Sequence, residues 1–128
     1  MAKKQLTMRF RIPPYCSPRN EWRKLIHAEA LKESLKQRLT YDSSDCLEVH
    51  IRLYLKEGDI YFHDVDNRLK DIMDALQGRA GGPKRVRKLE PIIPNDSQVY
   101  KVSIEKIIPS PQSRGYSHVM IRKYQQGK

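Results

Sequence analysis

The chain has 128 residues, 38% of them hydrophobic and 31% charged, which suits one domain with a real core and excludes the composition of a disordered chain. Lys and Arg outnumber Asp and Glu by 25 to 15, a net charge of +10, and this balance favours a polyanionic partner, of which nucleic acid is the commonest. Cys16 and Cys46 lie far apart without metal-ligand spacing, and no apolar signal region or membrane-length window is seen, so the expectation is a reduced, soluble, cytoplasmic protein with no zinc site, no disulfide framework and no membrane partner.

Leu6, Met8, Phe10 and Ile12 alternate with Thr7, Arg9 and Arg11, the period of a half-buried strand that Pro13-Pro14 ends. Its arginines suit either a phosphate backbone or plain solvation. From Glu21 to Leu39 the spacing becomes helical, with Leu25, Ala28, Leu31, Leu35 and Leu39 as the apolar stripe. Trp22 and Ile26 lie beside that stripe and suit a second contact, either a dimer partner or the preceding loop. Leu47, Val49, Ile51, Leu53 and Leu55 then alternate with Glu48, His50, Arg52, Tyr54 and Lys56 in the clearest strand pattern of the chain. Lys56-Glu57-Gly58-Asp59 is a turn.

The next stretch carries the chemistry. Leu69, Ile72, Met73 and Leu76 form a helical stripe, and Asp64 or Asp66 sits where an N-cap is favoured by unpaired amides and the helix dipole. Lys70 lies one turn after Asp66, off the stripe. His63 is a candidate supporting group, and Asp74 a structural partner for Lys70. Gln77-Gly78 reads as a helix stop. A basic loop over residues 78–91 follows, in which Lys84, Arg85, Arg87 and Lys88 are candidate DNA contacts.

Asp96 follows in Pro94-Asn95-Asp96-Ser97-Gln98, before the strand pattern of Tyr100, Val102 and Ile104. Val119 and Ile121 suggest a last, edge strand before a polar tail. The order β-α-β-α-β-β predicts a small α/β (α+β) domain with two helices packed on a mixed sheet of about four strands. If Asp96 joins Asp64 and Asp66 in one cavity, the three carboxylates resist joint ionisation unless a hard cation such as Mg²⁺ sits among them. Singly, each acid is equally a cap or a turn residue.

Taken together, Asp64-x-Asp66-Asn67, Lys70, Asp74-Ala75-Leu76 and Asn95-Asp96-x-Gln98-Val99 resemble the RusA family of Holliday junction resolvases, with Ile12-Pro13-Pro14 a weaker likeness at the start. The resemblance implies catalytic Asp64, Asp66, Lys70 and Asp96, with Mg²⁺ held by the three acids, and a homodimer that cuts a branched, four-way DNA junction symmetrically. In this reading Asn67 contacts the phosphate or steadies an acid. Two departures stand out: Asn95 replaces the first acid of the family's later pair, and the run Arg79 to Lys88 is longer than the family's usual link. The competing expectations are a non-catalytic structural DNA-binding protein and a metal-dependent nuclease without junction preference.

Overall fold

Alternation in the first residues does form a strand, β1 (Met8–Ile12), and the helical spacing that follows forms α1 (Arg19–Gln37). Then come β2 (Leu47–Tyr54), α2 (Val65–Leu76), a 3-10 turn (Asp96–Gln98), β3 (Val99–Ile107) and β4 (Ser117–Lys123). The protein is represented by a computed structural model that describes residues 6–55, 63–80, 89–108, 110 and 115–125. The turn at Lys56 to Asp59 and the basic cluster Lys84, Arg85, Arg87 and Lys88 lie outside the described residues.

The strands form one four-stranded mixed sheet in the order β1-β4-β2-β3. β4 pairs antiparallel with β1 and β2, and β3 pairs parallel with β2. One sheet face carries Met8, Phe10, Ile12, Val49, Ile51, Leu53, Val119 and Ile121, all buried in the core. There α1 packs on β1 and on α2, and α2 reaches β3. The α+β architecture expected from the element order is therefore present, with both helices contributing to one core.

Two expectations need correction. β4 is interior, not an edge: Val119 and Ile121 are buried and both neighbours are strands, so the edges are β1 and β3. Its place as the last strand before the polar tail suggested an edge, but the chain returns to lie between β1 and β2.

α1 also turns the other way. Trp22, Ile26 and Ala30 face the core, where Leu39 of the expected stripe is also buried and Leu31 packs from the side, whereas Leu25 is 44% and Leu35 70% exposed. What reverses it is a set of buried polar neighbours, Arg23, His27 and Ser34, each with a partner on the inward side. Arg23 binds Asp71, His27 Nε2 pairs with the Glu90 carbonyl at 2.6 Å, and the Ser34 hydroxyl donates to the Leu39 carbonyl. Trp22 is held by its indole N–H, which donates to the Pro13 carbonyl at 2.9 Å. The helix ends at Arg38, in the left-handed region at φ 53, while the Leu39 amide donates to the Ser34 carbonyl.

Gly78 ends α2 as its sequence suggests, at φ +81. A Cβ there would lie 2.2 Å from the Leu89 carbonyl oxygen, so the backbone that returns toward β3 passes where only glycine leaves room. No described helix is long and apolar enough to cross a membrane.

Candidate active site

α2 owes its orientation to Ile72, Ala75 and Leu76, which are fully buried. Burying that stripe sends Asp66, Asn67 and Lys70 to the exposed side. Asp64 is the N-cap residue but makes no capping bond with its side chain. Its carboxylate instead accepts from Asn67 Nδ2 at 3.3 Å. Asp66 stands in the first turn, where the helix dipole favours a negative charge, and Lys70 follows one turn on. Two carboxylates, an amide and an ammonium are thus presented outward from one helix end.

Next to Asp64 in the chain, His63 packs its ring against Tyr15 in a tilted arrangement with centroids 5.0 Å apart, and its carbonyl accepts from Lys106 Nζ at 2.9 Å. His63 therefore anchors the helix start to β3 and to the loop before α1. Asp74 pairs with Arg23 at 3.7 Å, so its expected pairing with Lys70 is replaced by a contact to α1.

Asp96 stands elsewhere. It opens the 3-10 turn at the N-terminal end of β3, where Asn95 and Gln98 form a capping box. Gln98 Nε2 donates to the carbonyls of Asp42 at 2.7 Å and Asp45 at 2.8 Å, tying this turn to the start of β2. By contrast, the Lys106 contact ties the start of α2 to the far end of β3. Seven strand steps from Val99 to Lys106 amount to about 23 Å. The structure places Asp64, Asp66, Asn67 and Lys70 at the start of α2, with Asn67 bonded to Asp64, and leaves Asp96 at the other end of the sheet. Consistently, no three His, Cys, Asp or Glu side chains gather for a metal ion among the described residues.

As a donor set, the Asp64–Asp66 end supplies only carboxylate and amide oxygens, the chemistry of a hard cation. One or two carboxylates completed by phosphate oxygens are a common way to hold Mg²⁺. The fit extends to this pair and excludes Asp96 of the same chain.

Two further constellations stand out in the structure: the first was not singled out from the sequence, and of the second only the β1 arginines were. Inside, Asp71 is fully buried and accepts from Arg19 Nε at 2.9 Å and from Arg23 Nη2 at 2.9 Å, with Arg68 3.4 Å from its second oxygen. The bond to Asp71 holds the Arg19 guanidinium above its ordinary pKa. Arg68 lies over the Tyr15 ring at 4.0 Å. These arginines sit among apolar positions of both helices, and only the three-dimensional packing reveals that they converge.

The second lies on the sheet face away from the helices. There Arg9, Arg11, His50, Arg52, His118 and Arg122 line a depression of about 630 Å³. Glu48, on the same face, is buried between His50 Nε2 at 2.9 Å and Arg122 Nε at 2.7 Å, and His50 Nδ1 contacts the Ser103 hydroxyl at 2.5 Å. The alternation of Arg9 and Arg11 with apolar residues in β1 pointed to this face, whereas the contributions of His50 and Arg52 from β2 and of His118 and Arg122 from β4 depend on the strand order.

Burial raises the Glu48 pKa, but the bonds from His50 and Arg122 outweigh it and leave the carboxyl below its ordinary 4.5. A depressed pKa means that the folded state favours the carboxylate. Its stabilisation is complete above the unfolded pKa and is lost as the pH falls through the folded one. Glu48→Gln is therefore expected to be less stable than the parent near pH 7, with the gap closing in acid; urea unfolding of both proteins across that range measures it. A gap unchanged by acid contradicts this role.

No protein-family model matches the chain, and neither does any curated protein.

Proposed function

We propose that this chain is a Mg²⁺-dependent endodeoxyribonuclease that resolves four-way DNA junctions as a cytoplasmic homodimer. The observation that carries the reading is the outward presentation of Asp64, Asp66, Asn67 and Lys70 from one end of α2, the residues on which the resemblance to the RusA family rests. A net charge of +10 suits a DNA partner.

When bound, Mg²⁺ supplies Lewis acidity toward phosphoryl oxygens and lowers the pKa of a water. Asp64 and Asp66 provide oxygen ligands, and Lys70 provides a positive charge for the phosphate or the leaving oxygen. Asn67 steadies Asp64 through the bond already present. The position of Asp96 adds a requirement: it joins this set only from a second copy, as Asp96 of the partner subunit. A dimer also matches the two symmetric cuts a junction needs. The exposed Leu25 and Leu35 on α1 give self-association an apolar surface.

The test is cleavage of a labelled immobile four-way junction with Mg²⁺ or with a chelator, beside a linear duplex and the Asp66→Asn variant. Paired cuts near the crossover are expected, dependent on metal and lost in Asp66→Asn with junction binding retained. Equal cutting of the duplex replaces this reading with a nuclease lacking junction preference. Tight binding without cutting replaces it with a non-catalytic DNA-binding protein.

A further inference from the structure

Across the open face of the sheet the strand register sets the polar side chains in rows. One row is Arg9, Met120, His50 and Ser103; the next is Arg11, His118, Arg52 and Glu105; and Arg122, Glu48 and Lys101 form a third. Four arginines and a lysine thus share a face with two glutamates, and both glutamates are engaged. Glu48 holds His50 and Arg122, while Glu105 pairs with Arg52 at 3.3 Å. Arg9, Arg11 and Lys101 have no carboxylate partner among the described residues. Arg11 is steadied from the side by the Tyr116 ring at 5.4 Å, which orders a guanidinium without neutralising it.

We infer that this face docks the sugar–phosphate backbone of a DNA arm, with Arg9 and Arg11 of β1 as the principal phosphate contacts. Charge identifies the occupant. A second copy presenting the same face meets like charge, whereas a phosphate backbone offers a continuous line of acceptors that arginine forks match. Arg9 and Arg11 are two strand steps apart on the same face, about 6.8 Å, so each can engage a separate phosphate of one backbone. Glu48 holds His50 and Arg122 in place in the rows beside Arg9. The Arg11 row is the one nearer the C-terminal end of β2, after which α2 follows in the chain. The inference rests on DNA being the partner in the proposed function, but not on cleavage.

The experiment measures binding of the full chain to a fluorescent duplex and a four-way junction by anisotropy, in chelator, across a salt series. Arg9→Glu with Arg11→Glu is compared with the parent and with Lys32→Glu plus Lys36→Glu, the same charge change on exposed residues of α1. The β1 variant is expected to bind roughly tenfold more weakly or worse, with a slope of log K against log salt smaller by about 2. The α1 variant is expected to lose less than threefold. If the reversal impairs folding, Arg9→Gln with Arg11→Gln is read for the same loss of slope. Parent and β1 variants that bind equally overturn the inference and leave the proposed function standing. A parent that binds neither DNA overturns both, and one that binds polyglutamate as tightly as DNA makes the occupant an acidic protein.

Discussion

Replacing Asp71 with alanine is expected to cost about 3–5 kcal/mol of folding stability, because it leaves buried guanidiniums without their counter-ion. Asp71 is fully buried, and the side chains of Arg23 and Arg68 are each 8% exposed. After the change, Asp74 is the remaining carboxylate near Arg23, at 3.7 Å. Such a loss is a large share of the 5–15 kcal/mol that holds a domain folded, and corresponds to a fall of roughly 10–20 °C in Tm for a chain of this size. Asp71→Asn keeps the shape but not the charge and is expected to lose nearly as much. The cluster also has orphaned atoms, since Arg68 Nε and Nη1 are buried without a hydrogen-bond partner. Its stability is therefore poorer than its number of ion pairs suggests. Asp71→Leu combined with Arg23→Met and Arg68→Met is expected to be more stable than Asp71→Leu alone, because apolar replacement removes the buried charges along with their partner. Urea unfolding of these variants measures both effects. A loss below about 1 kcal/mol for Asp71→Ala contradicts the account of the cluster as a coupled unit.

The same cluster explains why α1 was harder to read than β2. In β2 apolar residues alternate with polar ones, and the strand buries Val49, Ile51 and Leu53 as that alternation directs. In α1 the inward face includes Arg23, His27 and Ser34, whose partners lie on α2, in the loop before β3 and at the helix's own end. Hydropathy assigns such residues to solvent because it carries no information about partners distant in the chain. The four leucines at helical spacing then look like the core face. The outward acids and Lys70 of α2 were legible because an ordinary apolar stripe, Ile72 to Leu76, fixes which side of that helix is free.

Asp96 was legible as a residue but not as a place. A motif gives chain order, whereas the parallel pairing of β2 with β3 decides which end of the sheet each residue occupies. In a strand–helix–parallel strand unit the helix begins where the first strand ends, and the second strand begins at the opposite end. Asp64 and Asp66 therefore stand one strand length from Asp96, whatever the loop between them does. Had β3 run antiparallel to β2, the three acids would have shared an end.

That separation yields the sharpest expected result for the proposed function. Asp66→Asn and Asp96→Asn are each expected to abolish junction cutting as homodimers. In a mixed dimer, one composite site combines both substitutions, and the other combines intact Asp64 and Asp66 of one protomer with intact Asp96 of its partner. Co-expressing the two variants with different tags and purifying the doubly tagged species is therefore expected to restore cutting, on one strand only, as a nicked junction. If all three acids acted within a single chain, each protomer of that mixed dimer would carry one lesion and no site would be whole. Restored nicking places the acids across the dimer interface. No restoration, with each variant still binding the junction and still dimeric, means that the three acids act within one chain. An Asp96→Asn homodimer that still cuts makes Asp96 only a turn residue inside the Asn95–Gln98 capping box at the start of β3, and leaves Asp64, Asp66 and Lys70 as the whole of the candidate site.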